Sequence, residues 1–313
     1  MFTETLSRRI RRSALVGILT GPHGVDRYTE VYNRTWTVND ARAKVVAVRK
    51  QTPRSVTLTL QPNDAWAGFR AGQHINLTVE IDGRRRTRCY SPANAEGSPV
   101  IELTIGLHDG GLVSEHLFRN ARPGMVVHLD SVGGDFVLPA VRPRRILLVS
   151  GGSGITPVLS MLRTLREENF DGDVAFLHYA RNPEEAAYAT ELAATPGVKV
   201  LHSYTRSNRG DLHGHFSADH LAAAMPNPEA VFVCGPPALV SEVKNLLPGA
   251  QSESFVPPVI AAPTEVSGGT VAFTESKVET VDDGRSILEQ AEAAGLNPTN
   301  GCRMGICHTC TRK

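Results

Sequence analysis

The stretch ILLVSGGSGITPVLSMLRTL, Ile146 to Leu165, decides how the chain is to be read. Ile146 to Val149 is an apolar run, as in a strand buried on both faces. Gly151, Gly152 and Gly154 follow in a loop too glycine-rich to carry side chains. Val158, Leu159, Leu162 and Leu165 then recur at helical spacing on one side. A buried strand, a glycine loop and a helix form the start of a parallel α/β sheet. Glycines at that junction let a nucleotide approach the backbone at a helix N-terminus. The loop departs from the dinucleotide fingerprint G-x-G-x-x-G, because Pro157 stands where the third glycine would be.

Downstream the same alternation continues. DVAFLHYA, VKVLHSYT and AVFVCGPP are apolar strands, and PEEAAYATELAA and SADHLAAAM read as helices between them. Strand and helix alternating predict a parallel sheet with crossovers over residues 144–256. In AVFVCGPP, Cys234 and Gly235 end a strand. The carboxyl ends of strands are where open α/β sheets bind ligands. A cysteine there also has a plain reading, as a small buried apolar side chain.

Upstream the period changes from 3.6 to 2. KVVAVRK, SVTLTLQP, HINLTVEIDG, PVIELTIGL and MVVHLDSV alternate, with β-branched residues and turn punctuation. Short strands so closely spaced predict an antiparallel barrel over residues 43–143. Two motifs stand on it. RTRCYSP places Arg88, Cys89, Tyr90 and Ser91 at a strand's end. There a guanidinium can neutralise a phosphate, a tyrosine offers an aromatic face, and a serine can hydrogen-bond a ring. That combination suits a flavin, although an edge strand with a surface arginine carries the same letters. HDGGLVSEHL opens a helix. Gly111, Leu112, Val113 and Ser114 leave backbone N–H groups to cradle a pyrophosphate.

VPPVIAAPTEVSGG is rich in proline, alanine and glycine, and residues 257–269 read as a linker. From residue 270, TVAFTES and KVETVDD predict a hairpin. DGRSILEQAEAAGLNP predicts a helix with Ser286 and Glu289 as a capping box and Gly295 past its end. Cys302, Cys307 and Cys310 follow as C-x4-C-x2-C. Three thiolates in that spacing suit a plant-type [2Fe–2S] cluster, and structural zinc is the competing occupant. A fourth cysteine is absent, since Cys89 and Cys234 belong to other motifs. The expectation is a chain truncated within this last domain.

The gross composition is that of an ordinary globular protein. Thirty-three Lys and Arg against thirty-two Asp and Glu give a net charge of +1, which offers nucleic acid no strong attraction. Five cysteines, three of them clustered, argue against a secreted disulfide scaffold. Residues 1–42 form a basic extension. Arg8, Arg9, Arg11 and Arg12 precede a short apolar stretch that Pro22-His23-Gly24 interrupts, without an evident cleavage site. The expected location is cytoplasmic, with possible contact at the inner face of the membrane through this extension.

The motifs occur in a set order: R-x-Y-S, G-G-x-x-S, G-G-x-G-I-T-P, C-G-P-P and the three cysteines. Together they resemble the ferredoxin–NADP reductase superfamily with a C-terminal plant-type ferredoxin, as in reductases of bacterial oxygenases and desaturases. The resemblance covers residues 43–313. It implies a multidomain chain: an antiparallel β-barrel flavin domain, an α/β nucleotide-binding domain, and a partial β-grasp ferredoxin domain. It further implies that Arg88 binds flavin phosphate, that Tyr90 with Cys89 lines the flavin, and that Ser91 bonds its N5. Gly111 to Ser114 would hold the FAD pyrophosphate. Gly151, Gly152, Gly154 and Thr156 would meet NAD(P)H, and Cys234 with Gly235 would lie near the nicotinamide. Members use FMN or FAD, and the G-G-L-V-S loop resembles the FAD branch. Arg181 and Arg206, in loops after the second and third strands, favour NADPH over NADH. NADH-using relatives often place an acid near position 187, where this chain has alanine. The terminal acceptor would be an oxygenase. LVGILTGPHGVDRY resembles the subgroup serving membrane fatty acyl desaturases, with a soluble ring-hydroxylating or steroid oxygenase as the alternative. A non-enzymatic module with a zinc tail is the reading of another class. A flavohaemoglobin is excluded, because nothing before residue 43 could form a globin.

Overall fold

The computed structural model describes residues 26–255, 268–296 and 298. The chain divides into two compact units, Met1–Phe255 and Val256–Lys313. The arginines and apolar stretch of the basic extension, most of the linker and the three tail cysteines lie outside the described residues.

Among the described residues of the first unit, a short helix, α1 (Asp26–Tyr32), comes first, and none of its residues is buried. Asp26 ties it down, its carboxylate accepting from the backbone N–H groups of Val38 (2.7 Å) and Asn39 (3.2 Å). Six antiparallel strands follow: β1 (Arg42–Thr52), β2 (Ser55–Pro62), β3 (His74–Ile81), β4 (Arg84–Tyr90), β5 (Ile101–Gly106) and β6 (Val126–Gly133). Their order across the sheet is β4-β3-β6-β1-β2-β5. A bridge between Pro92 and Leu103 joins the chain leaving β4 to β5, so the two edges meet. The alternation in the sequence is physical. Ile101, Leu103 and Ile105 of β5 are fully buried with Leu58, Leu60, Ile75 and Leu77, while the residues between them are more exposed. Helix α2 (Leu112–Asn120), between β5 and β6, adds Val113 and Leu117 to that core.

The second half of this unit is a parallel sheet. Its strands are β7 (Arg145–Gly151), β8 (Asp173–Ala180), β9 (Val198–Tyr204), β10 (Leu212–His213), β11 (Ala230–Cys234) and β12 (Gln251–Glu253), in the order β10-β9-β8-β7-β11-β12. Helix α3 (Ile155–Glu167) follows β7, α4 (Ala189–Ala193) follows β8, α5 (Ala218–Ala224) precedes β11, and α6 (Pro237–Leu246) follows it. The helix expected over PEEAAYATELAA is broken. A single turn spans Pro183–Glu185, and α4 begins only after Tyr188, which sits in the left-handed region at φ 61°. One face of α3 was expected in the core, but Ser160 and Thr164 on its other side are buried too.

Ser150, His178 and His202 form a row across β7, β8 and β9. His178 is fully buried, its Nδ1 2.8 Å from Ser150 Oγ. Burial, with His202 beside it, pulls its pKa from 6.5 down to about 3. The folded protein therefore holds this imidazole neutral where the unfolded chain takes up a proton. The stabilisation is full above pH 6.5 and is lost as pH falls towards 3. Its slope is about 1.4 kcal/mol per pH unit. His178→Gln should flatten the stability curve between pH 6 and pH 4, measured by denaturant unfolding at each pH on that roughly linear slope. An unchanged slope would contradict the assignment.

The second unit contains an antiparallel hairpin, β13 (Thr270–Phe273) and β14 (Val278–Val281), and helix α7 (Ile287–Ala293). Ser286 and Glu289 form the capping box, and Gly295 beyond the helix has φ 81°.

Candidate active site

The flavin motif ends an edge strand. β4 pairs with β3, placing Tyr90 opposite Ile75 and Cys89 opposite Asn76. The ring of Tyr90 packs against the barrel core. Burial pushes its phenol up, Arg88 opposing, so it stays protonated. Arg88 Nη1 donates to the carbonyl of Thr87 at 2.7 Å. Cys89 is tied into the sheet, its Sγ donating to Asn76 Oδ1 (2.8 Å), whose amide reaches Ser131 Oγ (2.7 Å). Ser91 is different. Its residue is 3% exposed, and its buried Oγ has no hydrogen-bond partner. Such an orphan costs about 1–3 kcal/mol unless something outside the chain satisfies it.

The second motif caps α2. Gly110 has φ 75°, and Gly111 is the N-cap without any side-chain cap. A Cβ on Gly111 would stand 2.4 Å from Ser114 Oγ and 3.0 Å from the carbonyl of His108. No side chain caps the N-terminus formed by Leu112, Val113 and Ser114, while the N–H of Gly110 before it donates to Glu115 Oε1 (2.8 Å).

In the parallel sheet the order reverses between β7 and β11, which pair directly. The crevice beyond their carboxyl ends is the switch point of such sheets. A Cβ on Gly154 would stand 2.2 Å from the carbonyl oxygen of Cys234, and one on Gly151 2.7 Å from Leu239. A Cβ on Gly235 would stand 3.0 Å from the nitrogen of Gly151. Gly152 has φ 54°. Thr156 is buried, its hydroxyl 3.4 Å from the carbonyl of Ser153. Cys234 is fully buried beside Phe136 and Phe232, and burial raises its thiol well above the ordinary range. It is a packed, protonated thiol.

Arg181 and Arg206 follow β8 and β9 and are joined by the N–H of Arg206 donating to the carbonyl of Arg181 (2.8 Å). Two acids lie in the same loop. Glu185 pairs with Arg181 at 3.5 Å, and Glu184 pairs with Arg209. The position expected to carry an acid in NADH users, Ala187, is buried.

Sequence reading missed His74 and Glu253. β12 lies beside β11 with Glu253 opposite Cys234. The register of β3 on β4, Ile75 opposite Tyr90, carries His74 to the level of Ser91. His74 Nδ1 is 3.5 Å from Glu253 Oε1. Neither His74 Nδ1 nor Glu253 Oε2 has a hydrogen-bond partner, although both are buried. The seam between barrel and sheet therefore holds two unsatisfied polar atoms, His74 Nδ1 and Glu253 Oε2. That is the chemistry expected where a polar ring system docks. No local motif marks His74 or Glu253, because only the tertiary fold brings them together. Among the described residues no group of His, Cys, Asp or Glu is arranged to hold a metal ion.

Comparison with known proteins agrees with this layout. Residues 45–137 match the oxidoreductase FAD-binding domain, 148–245 the oxidoreductase NAD-binding domain, and 271–313 the 2Fe-2S iron-sulfur cluster binding domain. An NADPH oxidoreductase of Mycobacterium tuberculosis is 32% identical over 310 residues, spanning 93% of this chain and 80% of that protein. The glycine betaine monooxygenase reductase subunit of Pseudomonas aeruginosa is 29% identical, over 77% of this chain and 76% of its own. Among solved structures, phthalate dioxygenase reductase, described as a modular structure for electron transfer from pyridine nucleotides to [2Fe–2S], superposes with a TM-score of 0.62. It is 26% identical and covers 86% of this chain and 84% of its own.

Proposed function

We propose, on the premise that this chain belongs to the ferredoxin–NADP reductase superfamily with a C-terminal [2Fe–2S] domain, that it feeds electrons from NADPH to a membrane fatty acyl desaturase. It is an NAD(P)H-dependent oxidoreductase with FAD-binding, NAD-binding and [2Fe–2S] domains. Its relatives include reductase components of oxygenases.

The observation that carries the flavin assignment is the buried, unpartnered hydroxyl of Ser91 at the end of β4. Ser91 would satisfy that hydroxyl on the flavin N5, and Tyr90 would pack on the ring. Arg88 would hold the FAD phosphate, with Gly111, Leu112, Val113 and Ser114 cradling the pyrophosphate. Gly151, Gly152, Gly154 and Thr156 would admit the nicotinamide nucleotide. Cys234 and Gly235 would form the wall against which the nicotinamide rests. Cys234, protonated and buried, shapes that wall and holds its proton. Bound FAD supplies the exchange between a two-electron hydride and the single electrons that a [2Fe–2S] cluster carries. Cys302, Cys307 and Cys310 would ligate that cluster.

NADPH is favoured over NADH by Arg181 and Arg206, held together at the sheet's carboxyl edge. Arg206→Ser should raise the KM for NADPH about tenfold and leave that for NADH nearly unchanged, the worth of one hydrogen bond to a charged group. Equal changes for both nucleotides would contradict a 2′-phosphate contact.

The desaturase assignment rests on the resemblance of the N-terminal stretch. It is also consistent with the exposed Tyr28, Val31, Tyr32 and Trp36 on and after α1, aromatic and apolar groups of the kind that sit at lipid interfaces. Deleting residues 1–40 should weaken coupling to a membrane desaturase and spare dye reduction. Equal loss of both activities would count against it. A second reading is a reductase for a soluble ring-hydroxylating or steroid oxygenase, supported by the likeness to monooxygenase and dioxygenase reductases. No helix among the described residues is long and apolar enough to cross a membrane.

A further inference from the structure

Helix α3 begins at the glycine loop and runs back along the barrel. The side turned to the barrel carries Ser160, Arg163 and Thr164, spaced to share one face. Each engages the backbone just after the flavin motif. Ser160 Oγ donates to the carbonyl of Asn94 (2.7 Å), and Arg163 Nη1 to that of Ala93 (2.9 Å). The N–H of Glu96 donates to Thr164 Oγ1 (3.0 Å). One helix thus joins the glycine loop at its start to the segment that leaves Ser91.

Arg163 extends the connection. It donates to Glu102 Oε1 on β5 (3.1 Å) and to both carboxylate oxygens of Glu191 on α4 (2.7 and 2.6 Å). The same Glu102 oxygen accepts from Tyr188 OH (2.8 Å), which also bonds Thr104 Oγ1 on β5. The guanidinium of Arg163 lies 5.3 Å from the centroid of the Tyr188 ring. Tyr188 is the residue at φ 61° that breaks the predicted helix. It closes the loop that begins at Arg181, while β5 runs directly into the Gly110–Gly111 turn. Both candidate nucleotide loops therefore hang from one half-buried polar knot, in which Tyr188 is buried and Arg163 and Glu102 are partly exposed.

An apolar seam would hold the two halves together about as well and let them slide. A charged, hydrogen-bonded network fixes one arrangement instead, at little gain in stability. Transfer between two bound rings depends steeply on their placement. We infer that Arg163 and Tyr188, through Glu102, are positioning residues that set the nicotinamide site against the flavin site. This rests on the reductase reading and goes beyond it, since neither residue touches either cofactor site.

The test uses the full chain with FAD bound and three variants, Tyr188→Phe, Arg163→Met and the conservative Arg163→Lys. Anaerobic mixing with saturating NADPH gives the limiting rate of flavin bleaching. Fluorescence titration of the apoprotein gives FAD affinity, and difference spectroscopy gives NADP+ affinity. The limiting rate should fall about 10- to 100-fold in Tyr188→Phe and Arg163→Met, with both affinities held within about threefold. Arg163→Lys should recover part of the rate. Adding Glu102→Gln to Tyr188→Phe should cost no more than the larger single change, since the two share one bond. Unchanged rates in the variants of a normally bleached protein would overturn this inference alone. So would a rate loss matched by equal loss of FAD affinity, the mark of a merely structural role. A wild-type protein that binds FAD but is bleached by neither NADPH nor NADH would overturn the reductase reading, and this inference with it.

Discussion

Ser91→Ala is expected to retain its FAD and to lose about 100-fold in the rate at which NADPH reduces it, the usual worth of one preorganised donor at a reacting atom. The hydroxyl is buried just past β4 with no partner among the described residues, so it can bond a group from outside the chain. In the proposed site it would be a small part of a large binding surface that includes Arg88, Tyr90 and the α2 N-terminus. Affinity should therefore survive its removal. Removing the orphan also removes a buried polar group, so the apoprotein should be no less stable, by up to about 1–3 kcal/mol more stable. The check is flavin content after purification together with single-turnover bleaching. Full-rate bleaching in the variant would contradict the role given to Ser91.

Gly154→Ala should have the larger effect on the fold. Gly154 has an ordinary φ of −65°, so the alanine backbone itself is unstrained. Space is what is missing. The new Cβ would stand 2.2 Å from the Cys234 carbonyl oxygen and 2.4 Å from its carbon, both backbone atoms at the end of a central strand. Separating the loop from β11 should cost about 3 kcal/mol, the upper range for overpacking. That corresponds to a Tm lower by roughly 10 °C in a unit of this size. Nucleotide affinity should fall with it, because the loop moves off the crevice. Gly152→Ala is the control. Its φ is 54° with nothing within 4 Å of the new Cβ, so only the left-handed backbone is strained. About 1 kcal/mol is expected there. Equal melting temperatures for the two variants would show that close approach is not the reason for Gly154.

Much of this architecture is legible in the sequence because solvent exposure imposes a period. β5 alternates since one face meets the core and the other does not, and Ile101, Leu103 and Ile105 announce it. β7 reads as a run because both its faces are covered. β4 shows no such pattern. Four of its seven residues are arginines on a sheet edge, and only the motif at its end betrayed it. Helix α3 was visible from its leucines, but the burial of Ser160 and Thr164 was not. Polar residues predict solvent until the barrel backbone that binds them is in view. Tyr188 broke a segment rich in helix formers because its hydroxyl is anchored on β5, a tertiary demand that overrides local propensity. The candidate site divides the same way. Glycine loops and R-x-Y-S are local and were readable, whereas His74 and Glu253 come from different strands and carry no motif.

One chain carries the domains that would couple a nicotinamide nucleotide to FAD and then to a [2Fe–2S] cluster. The most direct test of that coupling is the visible spectrum of the purified chain, followed by anaerobic addition of NADPH. Flavin bands that bleach on addition are the predicted result; further absorbance with a paramagnetic signal would mean that a ligand besides Cys302, Cys307 and Cys310 completes the cluster, and flavin alone would fit the missing fourth cysteine. A colourless protein that gains no flavin spectrum on addition of FAD would contradict the account.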